Sequence, residues 1–155
     1  QPLPRAGASP DPPNPRLRAR PMVEGEEELW SRISARGWVE QPEFTEFILG
    51  IGRVMASSDG LLAFFAHLDG APVAAGVLRC HEGVALFGGA CTVPEARRLG
   101  AQRALFEIRM NTAVAQGCDL GMICAQPGSA SQRNAERHGF RIAYTRIKWK
   151  LTPKE

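Results

Sequence analysis

Long apolar runs are missing from this sequence. Spanning a bilayer takes about 20 consecutive apolar residues, and no stretch approaches that. The N-terminus also has no signal-peptide core. A soluble, cytoplasmic protein is expected, with no membrane partner. Charge of one sign is scarce as well, at a net +3 over 155 residues. That is too little for a surface that neutralises many phosphates, so no nucleic-acid partner is expected. Four cysteines, Cys80, Cys91, Cys118 and Cys124, show no C-x-x-C spacing. Three of them sit in or beside apolar runs, which reads as reduced core residues and no metal.

What is present is enough for one real core, with 44% hydrophobic content in 155 residues. Gln1 to Pro15 is rich in proline and has little to bury, so it reads as an extended tail or linker before a folded domain over residues 16–155. Its character, with no initiating Met, suggests that another domain once preceded it.

The most informative stretch is Val84 to Phe106, VALFGGACTVPEARRLGAQRALF. It reads as a strand, an arginine-rich turn, one glycine and an amphipathic helix. A helix starts with about four backbone N–H groups that have no intrahelical acceptor, and its dipole is positive at that end. Gly100 lets a ligand approach the backbone, and Arg97, Arg98 and Arg103 add permanent charge around the turn. Taken alone, the pattern fits a basic turn before a core helix equally well. It is neither the phosphate loop G-x-x-x-x-G-K-[ST] nor G-x-G-x-x-G. Ala101, Ala104, Leu105, Ile108, Thr112 and Ala115 fall at helical spacing, with Gln102, Arg103, Glu107 and Arg109 on other faces and Gly117 as the stop. The pair Gly88-Gly89 inside the strand marks a bulge or a close approach of backbone or ligand.

Thr92-Val93-Pro94, followed by Arg97-x-x-Gly100-x-Gln102 and Ala104-Leu105, resembles the acyl-CoA-binding motif [RQ]-x-x-G-x-[GA] of the GCN5-related N-acetyltransferases. Gln102 stands where Gly or Ala is usual. Ser129 to Phe140, SASQRNAERHGF, resembles the later helix of that family with its closing Gly-Phe, here Gly139-Phe140. The resemblance covers roughly residues 17 to 151. It implies a mixed α/β fold with a central, mostly antiparallel sheet of six to seven strands and about four helices. The implied reaction moves an acetyl group from acetyl-CoA to a primary amine by direct attack.

By the same resemblance, the main chain of Cys91, Thr92 and Val93 holds the pantetheine arm, and the Val93 N–H polarises the thioester carbonyl. The pyrophosphate rests on the N–H groups of Arg98, Leu99, Gly100, Ala101, Gln102 and Arg103. Ser131 lies near the cofactor, and Asn134 either bonds locally or touches it. Many relatives pair as homodimers through their C-terminal strands, and tandem members carry a linker before the last domain.

The sequence departs from the family at the proton-transfer residues. The usual tyrosine, five residues before the Phe of Gly-Phe, is Ala135, and the one tyrosine in the chain is Tyr144. Ile123 and Cys124 occupy the region where some relatives place a carboxylate. Cys91, Ser131 and Tyr144 are the remaining candidate acids; His138 reads as a helix-end cap, and His67 and His81 as strand and turn residues. Two alternatives therefore stand beside the enzyme: a non-catalytic CoA-binding regulatory or partner-binding module, and a structural domain without ligand. An enzyme should have a deep acceptor pocket beside Val93.

In chain order, the patterning predicts a strand over Arg16 to Met22 and a helix led by Glu24, Glu26, Glu27 and Glu28. That helix buries Leu29, Trp30 and Ile33 and stops at Gly37. A second helix follows Pro42, with Phe44, Phe47, Ile48, Ile51 and Met55 on one face. A meander comes next: Leu61 to Leu68, an Asp69-Gly70 hairpin, Pro72 to Cys80, then Val84 to Val93. Asp119 to Ala125 reads as a short strand, a helix starts near Ser129, and Arg141 to Leu151 alternates as a closing strand.

Overall fold

A computed structural model of the chain describes residues 14–38, 45–147, 149 and 151. Pro42, Phe44 and nearly all of the proline-rich tail lie outside the described residues. The described residues fall into two compact units that part between Cys124 and Ala125.

The first unit contains β1 (Leu17–Pro21), α1 (Glu27–Gly37), α2 (Thr45–Ala56), β2 (Leu61–Leu68), β3 (Ala71–His81), β4 (Val84–Thr92), α3 (Ala101–Ala115) and β5 (Leu120–Ile123). A short 3-10 turn at Pro94–Ala96 precedes α3. The strands form one sheet in the order β1-β2-β3-β4-β5. Neighbours are antiparallel from β1 to β4, and β4 pairs with β5 in parallel. The β2–β3 hairpin turns at Asp69 and Gly70, both at positive φ (50° and 85°), as a two-residue hairpin needs.

Ala63, Phe64, Phe65 and Ala66 are buried in succession, so β2 is covered on both faces. α3 packs against β1, β2, β3 and β4, and the rings of Phe87 and Phe106 stack at 5.3 Å. α1 packs against β3 and β4, and its Trp30 indole N–H donates to the Phe64 carbonyl (3.1 Å). Glu27 and Glu28 occupy the first turn of α1, where carboxylates complement the helix dipole. Trp30 and Ile33 are buried as expected, while Leu29 is exposed. Gly37 ends the helix without a left-handed cap. A Cβ there would lie 2.5 Å from Cys91 Sγ, so its missing side chain is what lets α1 meet β4.

Burial on α3 differs from the expected stripe. Ala101, Leu105, Phe106, Arg109, Met110 and Ala113 face inward, and Arg109, placed on another face by its charge, is only 2% exposed. Position 109 follows Leu105 by one helical turn, so geometry puts it in the core whatever its polarity.

In the second unit, α4 (Ala130–Arg137) opens on Ser129, whose Oγ accepts from the Gln132 N–H (3.1 Å). Gly139 closes it at φ 86°, and the Phe140 N–H donates to the Ala135 carbonyl (3.1 Å). The closing strand expected over Arg141 to Leu151 does not appear among the described residues. Residues 141–147, 149 and 151 carry no strand, and the described sheet has five strands rather than six to seven. Ile147, Trp149 and Leu151 are 77%, 92% and 93% exposed, so the alternating pattern has no buried face to hold it as a strand.

Candidate functional site

At the edge of the sheet, β4 outruns the short β5. β4 and β5 are in register from Val84↔Leu120 to Phe87↔Ile123, and there the pairing ends although β4 runs on to Thr92. On the other edge of β4, the register jumps from Ala75↔Cys91 to Val77↔Gly88. Gly89 and Ala90 therefore oppose Gly76 alone, which is a bulge in β4, and Gly89 takes φ 56°. The Gly88-Gly89 pair marks this bulge as the sequence suggested.

Arg109 reaches the bulge from α3. Its guanidinium donates through Nη1 to the carbonyls of Val77 (3.1 Å) and Gly88 (3.3 Å), and through Nε to Leu105 (3.0 Å). It also lies over the Phe87 ring, 5.6 Å from the centroid. A Cβ at Gly76 would stand 3.2 Å from Nη1, so glycine there makes room for the cation. Burial lowers the Arg109 pKa to about 10, which leaves it charged at neutral pH.

At the end of β4, the Val93 N–H donates to the Val73 carbonyl (2.9 Å). This corrects the expectation that Val93 supplies the donor for a bound carbonyl, because its hydrogen is committed to the sheet. Successive N–H groups along an antiparallel strand point to opposite edges, so the Thr92 N–H is the one turned away from β3. The Thr92 hydroxyl Oγ1 accepts from Gln102 Nε2 (2.8 Å), which joins β4 to the first turn of α3. Arg97, an exposed residue, donates to the Thr92 (3.4 Å) and Gly37 (3.3 Å) carbonyls.

The turn before α3 bends through positive φ at Arg98 (65°) and Gly100 (98°). No side chain caps the helix at Gly100. The Ala104 N–H donates to the Gly100 carbonyl (3.0 Å), so the N–H groups of Ala101, Gln102 and Arg103 precede the helix's own ladder. Arg98, Leu99 and Gly100 are exposed, and Arg103 Nε pairs with Glu107 (2.9 Å). The end of β4 and an uncapped helix start thus lie side by side, which suits an elongated ligand with an anionic end.

The candidate acids fare differently. The Cys91 thiol is buried, directed at the Ser34 carbonyl (3.5 Å), and pushed up to about 11 by that burial. Ser131 and Asn134 sit on α4 in the second unit; Ser131 is exposed, and the Asn134 carbonyl lies 2.8 Å from His138 Nδ1 at the helix end. Tyr144 is exposed in the same unit. Among the described residues, no group of His, Cys, Asp or Glu could hold a metal ion.

A cavity of about 380 Å³ opens between α1, α2 and the bulge. Trp30, Trp38, Phe47, Ile48, Ile51 and Met55 supply its walls, with Ser34, Gly52 and Gly89 completing it. A deep pocket beside Val93 is what an enzyme would need; this cavity borders the bulge at Gly89, and Val93 is not in its wall. A Cβ on Gly89 would come within 3.3 Å of Met55 Cε, so the bulge glycine forms part of the cavity wall. Trp38 and Ser34 were missed in the sequence, because α1 was read only for the residues it buries against the sheet.

No protein-family model and no curated protein sequence matches the chain. Solved structures do match. The aminoglycoside N-acetyltransferase AAC(6')-Iy, in complex with a bisubstrate analogue of CoA, is 20% identical and superposes with a TM-score of 0.69 over 88% of this chain and 99% of its own. An aminoglycoside acetyltransferase from an uncultured soil metagenomic sample is 17% identical, with a TM-score of 0.69 over 88% of this chain and 99% of its own. A GCN5-related N-acetyltransferase from Ralstonia eutropha JMP134 is 15% identical, with a TM-score of 0.67 over 87% and 98%. The unpartnered end of β4, the bulge and the uncapped helix start belong to a chain with the fold of the GCN5-related N-acetyltransferases.

Proposed function

We propose that the chain is an acetyl-CoA-dependent N-acetyltransferase that acts on a primary amine by direct attack. The observation that carries this reading is the length of β4 beyond Phe87 that has no β5 partner, with the uncapped start of α3 following the end of that strand. Acetyl-CoA supplies an acyl group activated as a thioester. The main chain of Thr92 is the open edge that holds the pantetheine arm, and Cys91 and Val93 contribute by keeping that edge in register. The Thr92 N–H takes the oxyanion role, since it is the donor turned to the open side.

The N–H groups from Arg98 to Arg103 receive the pyrophosphate, with the Arg98 side chain adding charge. Ser131 and Asn134 remain candidate cofactor contacts on α4. With Ala135 in place of the usual tyrosine and the Cys91 thiol turned to the Ser34 carbonyl, no side chain of this chain is assigned as acid or base. The chain acts by binding and alignment, for which effective molarities of ~10⁵ M or more are attainable, and solvent carries the protons. The experiment is mass detection of acetylated product and released CoA from a panel of amines. Cofactor binding without product on any amine would move the reading to the non-catalytic CoA-binding module.

A further inference from the structure

We infer that the acceptor is a monoamine with an apolar body, aromatic or branched aliphatic, bound in the cavity between α1, α2 and the Gly89 bulge. This rests on the transferase reading above. The walls are two indoles, a phenyl ring, two isoleucines and a methionine, and none of the described lining residues is charged. The one hydroxyl among the described lining residues is that of Ser34, a residue only 6% exposed. A volume of about 380 Å³ falls in the range of small-molecule pockets, roughly 300–1,000 Å³.

A polycationic acceptor would lose the hydration of several ammonium groups there and gain no carboxylate from the described lining residues. Glu28, the acid that bridges the two helices, is already held by Arg32 (3.0 Å) and Arg53 (2.8 Å). The net charge of +3 also gives no general attraction for polycations. The inferred specificity therefore differs from that of the similar structures named as aminoglycoside acetyltransferases.

Apolar walls also serve the chemistry. A primary amine is protonated in water, and a low-dielectric surround favours its neutral form. The neutral nitrogen lone pair forms the C–N bond to the thioester carbonyl carbon as the C–S bond breaks and its electron pair leaves on sulfur. One proton passes from the new amide nitrogen to solvent and one returns to the thiolate, giving the N-acetyl amide and CoA.

The test uses the full chain carrying Trp149→Phe, which leaves Trp30 and Trp38 as the only tryptophans and changes an exposed residue. Fluorescence is titrated with 2-phenylethylamine and with spermidine at constant ionic strength, calorimetry measures acetyl-CoA binding, and kcat/KM is compared for both amines. The expected result is quenching by phenylethylamine alone and a kcat/KM at least about tenfold above that for spermidine. Ile51→Glu, at a half-open wall position, should lower that preference by about tenfold. Acetyl-CoA binding with spermidine equal or preferred, or with selectivity unmoved by Ile51→Glu, overturns the inference alone. Absence of acetyl-CoA binding overturns the transferase reading, and the acceptor role with it.

Discussion

Gln102 Nε2 donates to Thr92 Oγ1 at 2.8 Å, which links the residue that departs from the family motif to the last residue of β4. A glycine or alanine at position 102 could not make this bond. It holds the two sets of backbone donors, strand end and helix start, in one fixed relation. Gln102→Ala is expected to cost about 1 kcal/mol in stability, the net worth of one hydrogen bond. Acetyl-CoA affinity should fall with it, by roughly threefold to tenfold. Urea denaturation and calorimetry check the two effects separately.

Gly100→Asp should abolish CoA binding while leaving the fold nearly intact. The left-handed backbone at φ 98° costs a non-glycine residue about 1 kcal/mol. An aspartate there sets a carboxylate beside the helix start, where the dipole offsets part of that cost. Its carboxylate would then occupy the N–H groups of Ala101 to Arg103. A variant that unfolds near the parent temperature and binds CoA as tightly as the parent would show that the phosphates do not rest on this turn.

Arg109 is the residue whose loss should damage the first unit most. Arg109→Met keeps the bulk but removes the donors that meet the Val77 and Gly88 carbonyls at the bulge. Buried acceptors without partners cost roughly 1–3 kcal/mol, so a loss of about 2–4 kcal/mol is expected. Equilibrium unfolding in urea reads it, and a loss below about 0.5 kcal/mol would contradict the assigned role.

The pair Arg20–Glu26 gives a pH signature. Two bonds (2.6 and 2.7 Å) join them, and the carboxylate also accepts from the Val23 N–H (3.0 Å). Bonding to Arg20, and then to the backbone, lowers the Glu26 pKa from 4.5 to about 2. A carboxylate with a depressed folded pKa stabilises above its unfolded value, and the contribution is lost as pH falls through the folded value. Glu26→Gln should thus be less stable than the parent at pH 7, by about 1 kcal/mol for a part-exposed pair. The gap should close between pH 4.5 and about 2. Parallel denaturation curves at pH 7 and pH 2.5 decide it.

Much of the fold was legible because the patterns that encode it are local. Asp69-Gly70, the Ser129–Gln132 cap and the Gly139 stop each act within a few residues, and each is found where its chemistry placed it. The Gly88-Gly89 pair gave the bulge for the same reason. What sequence could not give depends on partners distant in the chain. Arg109 reads as surface by charge and is buried by its place on the helix, where the bulge carbonyls accept its donors. The Val93 N–H reads as available until Val73 is seen to accept it. The alternation after Phe140 reads as a strand, yet a strand requires a neighbouring edge and a buried face. The cavity was invisible because it is made by two helices crossing, with Gly52 tolerating contact at Ser31.

The most direct measurement is calorimetric titration of the full chain with acetyl-CoA, followed in the same cell by an amine and detection of released CoA. The account predicts saturable binding at one site and CoA release that depends on the amine. No heat of binding at cofactor concentrations that saturate ordinary acetyltransferases would contradict it.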